Sequence, residues 1–116
     1  MKKRIAILLP YKEKYTQKDA AAASIWVKDY LKKSYLTNDT TVFGNLQKNQ
    51  KPLSKNFVNI NLAKVAFKKN YFYTQKFHVD CIKNRFEVIE IHNRPESLIF
   101  LLKKKLNCKF IFIYHN

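Results

Sequence analysis

Glycine is almost missing from this chain: Gly44 is the only one in 116 residues. That scarcity excludes the glycine-rich phosphate loop of nucleotide hydrolases and the Gly-x-Ser-x-Gly elbow of serine hydrolases. No His-Glu-x-x-His sequence occurs either, so the common signatures of nucleophilic and zinc-assisted hydrolysis are all lacking. Cysteine is also scarce. Cys81 and Cys108 form no Cys-x-x-Cys pair, which argues against a disulfide or metal framework and suits free thiols in a reducing cytoplasm. No run approaches the about 20 apolar residues of a spanning helix. Met1-Lys2-Lys3-Arg4 followed by Ile5 to Leu9 superficially resembles a secretory leader, but Pro10-Tyr11-Lys12-Glu13-Lys14 interrupts the apolar run at once. The reading is a cytoplasmic protein, soluble or peripheral at the inner face of the membrane.

Acidic residues are few: eight Asp and Glu against 23 Lys and Arg, a net charge of +15. Such a balance invites nucleic acid or an anionic membrane as partner. Of the basic residues 20 are Lys and 3 are Arg, however. Base reading and bidentate phosphate contacts favour Arg, so the bias weighs against sequence-specific recognition. Lys, Asn, Ile, Phe and Tyr are abundant together, as AT-rich codon usage produces. No RNP-like strand, zinc spacing or Gly-rich KH-type loop is present, and no nucleic-acid partner is expected. What the chain does have is apolar substance: 47% hydrophobic and 15% aromatic residues, enough for a packed core and too much for a disordered tail.

Strand and helix patterns alternate along the chain. Ile5 to Leu9 is a short continuous apolar run, the mark of a strand buried on both faces. Tyr11 to Asp19 reads as a polar loop. Ala20 to Ser34 is helical, with Ile25, Trp26, Tyr30 and Leu31 as its apolar stripe and Lys28, Lys32 and Lys33 outside. Thr40 to Phe43, ended by Gly44, and Asn56 to Ile60 read as strands separated by a loop containing Pro52. Tyr71 to Asn84 is a helix offering Phe72, Phe77 and Cys81 to the core. Phe86 to Ile91 is a fourth strand. Pro95 to Leu106 is a helix with Pro95 and Glu96 in its first turn and Lys103, Lys104 and Lys105 near its end, all favourable to the helix dipole. Lys109 to Tyr114 is a fifth strand. This alternation predicts a three-layer α/β/α domain on a parallel sheet with right-handed crossovers.

The junction from Phe86 through Leu98 carries the candidate chemistry. An apolar strand runs into His92-Asn93-Arg94 and then into a helix opened by Pro95, and open α/β sheets bind ligands at such strand ends. A purely structural role would have Asn93 cap the helix and Arg94 pair with Glu90 or Glu96. Three polar groups at one strand's end exceed what a cap requires, which favours a substrate-facing role. Glu90, alternating with apolar neighbours, reads as a satisfied buried acid or a strand-edge residue, not a catalytic one. Trp26 reads as core packing beneath the first helix.

The series Ile5-Ala6-Ile7-Leu8-Leu9-Pro10, Ala23-Ser24-Ile25-Trp26-Val27, Ile91-His92-Asn93-Arg94-Pro95 and Phe112-Ile113-Tyr114-His115-Asn116 resembles retaining glycosyltransferases of the two-domain GT-B type. It is similar to the amino-terminal, acceptor-side Rossmann-like domain of the family-four members of bacterial surface-polysaccharide synthesis. The resemblance implies that residues 1–116 are an incomplete half of that fold, lacking the carboxyl-terminal domain that grips the donor. It implies a hexosyltransferase-type reaction that moves a sugar from a nucleotide-sugar to a glycan or lipid-linked acceptor, with the nucleotide-sugar as co-substrate and with no metal or other cofactor. By position His115 matches a histidine that faces the donor sugar; as a bland alternative it is a terminal surface residue. His92, Asn93, Arg94 and Glu96 fall on the acceptor side. The first turn, Gly-rich in the family, is Ala20-Ala21-Ala22-Ala23 here, so Ala22, Ala23 and Ser24 make only a weak donor-phosphate loop. The fragment by itself is expected to be inactive. Two other functions remain open, a basic nucleic-acid-binding module and a non-catalytic α/β docking protein. The stretch Phe67 to Phe77 mixes cations with aromatics, as peripheral contact with an anionic membrane would require.

Overall fold

The computed structural model describes residues 4–115. Five strands form one wholly parallel sheet: β1 (Ile5–Leu8), β2 (Thr40–Gly44), β3 (Phe57–Asn59), β4 (Val88–His92) and β5 (Lys109–Ile113), in the spatial order β3-β2-β1-β4-β5. Three helices connect them: α1 (Ala22–Lys33) between β1 and β2, α2 (Lys69–Asn84) between β3 and β4, and α3 (Pro95–Leu102) between β4 and β5. A 3-10 turn (Thr37–Asp39) leads into β2, and residues 45–56 join β2 to β3 without a helix. This is the Rossmann-like parallel α/β arrangement that the alternating pattern predicts.

Strand periodicity sorts the core into two halves. Ile5, Ile7 and Val42 point to one face, where Ala23, Val27 and Leu31 of α1 and the buried Tyr15 cover them. Ala6, Leu8, Phe43, Ile89 and Ile91 point to the other, under Tyr73, Phe77 and Cys81 of α2 and Leu101 of α3. Phe43 meets Phe77 edge-on with ring centroids 4.8 Å apart, a favoured aromatic geometry. The sheet is thus the middle layer of three.

Some local expectations are corrected. The buried face of α1 is Ala23, Ser24, Val27 and Leu31, whereas Ile25 and Trp26 are exposed. Positions 23, 27 and 31 are one helical row, and small residues at its start let the helix sit close to β1. The loop after β1 is not simply polar: Tyr15 and Thr16 are buried, with Tyr15 Oη donating to Ser54 Oγ at 3.0 Å. On α2 it is Tyr73, more than Phe72, that joins Phe77 and Cys81 in the core. Helix α3 ends at Leu102, before its three lysines, and Lys105 takes a positive φ that a helix does not continue through.

Glycine scarcity leaves a structural trace. Four non-glycine residues, Lys68, Arg85, Asn93 and Lys105, adopt positive φ where glycine would be least strained. Gly44 itself ends β2 where an added Cβ would come within 3.1 Å of the Phe57 ring.

Candidate functional site at the carboxyl edge of the sheet

The chain reverses its winding direction between β1 and β4, the central neighbours of the sheet. At such a switch point the loops leave in opposite directions and open a crevice. Here the crevice holds about 440 Å³ and is lined by Pro10, Lys12, Glu13, Asn93, Arg94 and His115, among others.

Glu90 and His92 are two apart on β4, so both face α1 while Ile89 and Ile91 face α2 and α3. The His92 ring is fully buried. Its Nε2 lies 2.8 Å from Glu90 Oε2, and its Nδ1 lies 2.8 Å from Nε2 of His115. A Glu90 carboxylate can only accept, so His92 donates through Nε2–H. With that ring in its uncharged form Nδ1 accepts, which makes His115 the donor through its own Nε2–H. This hydrogen-bond logic assigns the His115 lone pair to Nδ1.

The backbone of His115 is fixed as well. Asn93 takes the left-handed conformation with φ 62°, one that Asn tolerates better than most residues. Its Oδ1 accepts the His115 N–H at 2.6 Å, and its own N–H donates to the Ile113 carbonyl at 2.9 Å. Asn93 therefore ties the end of β4 to the end of β5. It does not cap α3, whose N-cap is Arg94 with no side-chain cap bond. Trp26 reaches over from α1, its ring 5.4 Å from His92 and 6.2 Å from His115 between centroids. That wall replaces the core position expected for Trp26. Burial, and secondarily the neighbouring His92, push the His115 pKa below the ordinary histidine value; Glu13 and Glu90 pull weakly the other way. His115 is thus a neutral hydrogen-bonding group at neutral pH.

The structure brings His115, Asn93 and Arg94 together around the crevice and puts His92 behind them, with neither ring nitrogen open to a ligand. The Arg94 guanidinium lies 5.7 Å from the Tyr11 ring centroid. Among the described residues it pairs with neither Glu90 nor Glu96, and its buried Nε has no hydrogen-bond partner. Glu96 is exposed in the first turn of α3 and does not line the crevice. At the first turn of α1, Ala22 is exposed, Ala23 is buried and Ser24 is bonded. The Glu13 carboxylate accepts from the Ser24 backbone N–H and, at 2.7 Å, from Ser24 Oγ. An internal carboxylate thus sits where the resemblance implies a donor phosphate, and it satisfies the helix N-terminus electrostatically.

Sequence reading missed Glu90, Glu13 and Trp26 as members of this centre. The Glu90-x-His92 spacing was the available signal, since strand period two puts both on one face. Among the described residues no cluster of three or more His, Cys, Asp or Glu is placed to hold a metal ion. No helix of the described residues is long and apolar enough to cross a membrane. No family model matches the chain, nor does any curated protein or solved structure. What fold and geometry define is a Rossmann-like parallel α/β domain with a buried Glu–His–His chain ending in its switch-point crevice.

Proposed function

We propose that this chain is the acceptor-side half of a nucleotide-sugar-dependent glycosyltransferase of the hexosyltransferase type. One observation carries the reading: His115 is held at the switch-point crevice by His92 and Asn93, an arrangement that favours a neutral ring with its acceptor at Nδ1. A sugar hydroxyl is the natural donor to such a nitrogen. Sugar transfer demands positioning of a hydroxyl-rich substrate and electrostatic support for charge at the anomeric centre. A preorganised imidazole backed by a buried carboxylate serves both. Arg94, with no carboxylate partner among the described residues, and Asn93 supply polar groups beside it for the acceptor. The diphosphate leaving group and the nucleotide would be held by a second α/β domain of the full-length protein. Exposed Phe67 and Tyr71 beside Lys68 and Lys69 support a peripheral contact with an anionic membrane, where a lipid-linked acceptor would lie.

The test is to read the source gene past the Asn116 codon and assay its whole product against a panel of nucleotide-sugars. Continuation into a second α/β domain, with transfer whose turnover falls more than acceptor affinity in His115→Ala, supports the reading. A stop codon directly after Asn116 overturns it, as does robust transfer by the 116 residues alone. Steeply salt-dependent oligonucleotide binding without transfer would favour a nucleic-acid module instead.

A further inference from the structure

A second and larger cleft opens on the same edge of the sheet. It holds about 990 Å³ and is bounded by the loop after β1, the segments following β2 and β3, and the start of α2. We propose that this cleft binds a phosphate-bearing small molecule through Lys12, Lys14, Lys48 and Lys69.

Three separate chain segments bring these four lysines to one concavity, and no Asp or Glu lines it. Among the described residues the ion pair is Glu90 with His92, so none of the four ammonium groups is neutralised by a carboxylate. On a chain with 20 lysines most such groups would be scattered and solvated. Gathered in a cleft they repel one another and focus a positive potential that a multiply charged anion relieves. Lys14 is held in place: its Nζ donates to the backbone carbonyl of Asn45 at 3.0 Å and to Asn45 Oδ1 at 3.1 Å. An ammonium has three donors, so one remains for a ligand. Lys69 opens α2, whose first turn has no acidic residue and no side-chain cap, which leaves the positive end of a 16-residue helix uncompensated there.

The first helix is the contrast. At α1 the Glu13 carboxylate already fills the anion position, whereas the α2 end of the sheet has no such internal occupant. Four cations match the two to four charges of a phosphate or diphosphate better than a single carboxylate, and lysine serves phosphate as a point charge. The cleft also adjoins the crevice at His115, and Lys12 lines both. The same phosphate chemistry could come from a free phosphorylated metabolite or from a lipid headgroup, and it stands independently of sugar transfer.

The test is amide and side-chain NMR of the 116-residue chain, titrated at constant ionic strength with inorganic diphosphate and, separately, with phosphatidylglycerol vesicles. Saturable shifts are expected at Asn59, Asn61, Lys48 and Lys69 with diphosphate, and affinity about tenfold weaker in Lys14→Gln and in Lys69→Gln. Lys32→Gln, on the exposed side of α1, should leave that affinity unchanged. Each variant's amide spectrum reports whether it is folded, and Lys48→Gln serves if Lys14→Gln is not. Vesicle binding that diphosphate competes away identifies the headgroup as a source of the same phosphate. Non-saturating shifts, equal weakening by Lys32→Gln, or response to vesicles with none to diphosphate would overturn the proposal.

Discussion

Nδ1 of His92 and Nε2 of His115 stand 2.8 Å apart with their rings nearly coplanar, at 6°. The contact spans 23 positions of sequence and exists because β4 and β5 are sheet neighbours, with His92 in register with Ile113. Two residues beyond Ile113 the chain has left the sheet, and Asn93 catches its N–H. The histidine pair is thus a product of parallel register, and Glu90 sets its polarity from behind.

Glu90→Gln tests that polarity. The buried charge-assisted bond to His92 becomes a neutral one, and Gln can donate as well as accept. Urea denaturation should show a loss of about 2 kcal/mol. A loss below about 0.5 kcal/mol would mean that the carboxylate is not engaged as described.

Stability should fall as pH drops below the ordinary histidine range. Burial lowers the pKa of both His115 and His78 in the folded chain, with His92 and Lys104 as the secondary causes. The unfolded imidazoles take up protons first as pH falls through about 6.5, so protonation favours unfolding until the folded groups titrate too. The contribution is whole above that range and is lost below it. Urea midpoints measured between about pH 5 and 8 check it, and the slope should flatten in a His115→Gln, His78→Gln double variant. Rising stability toward acid in the parent chain would contradict the assignment.

Arg85→Gly should stabilise the chain by about 0.5–1 kcal/mol. Arg85 follows α2 with φ 51° and donates its N–H to the Cys81 carbonyl, a helix-ending geometry that glycine adopts without strain. A thermal melt decides it; a lower Tm would show that the arginine side chain contributes more than its backbone costs.

Asn93→Gly separates backbone strain from side-chain anchoring. Glycine accepts φ 62° freely, so global stability should change by less than about 1 kcal/mol. The His115 N–H loses its acceptor, and its hydrogen exchange should quicken by about tenfold or more. Unchanged exchange would mean that Asn93 does not hold the end of β5.

Much of this fold was legible because β-branched and aromatic runs mark every strand and because α/β alternation leaves few parallel topologies. Helix faces were less so. Ile25 and Trp26 look like core residues by hydropathy, yet α1 lies close to β1 through Ala23 and Val27 and turns Trp26 to its rim. At the site, His92, Asn93, Arg94 and His115 were visible as polar residues at strand ends. Their mutual roles were not, because they depend on β4–β5 adjacency and on a left-handed Asn that no local pattern specifies. Glu13 was hidden for a similar reason: its bond to Ser24 closes a loop whose path is set by the burial of Tyr15.

The central claim is that burial keeps His115 neutral while the bonds running from Glu90 through His92 set its acceptor nitrogen at Nδ1. Long-range proton–nitrogen correlation of the histidine side chains in the 116-residue chain, near neutral pH, tests it most directly. The account predicts the Nε2–H tautomer for His115, and loss of that single-tautomer signature in Glu90→Gln. A His115 that carries its proton on Nδ1, or one that averages both tautomers in the parent chain, would contradict it.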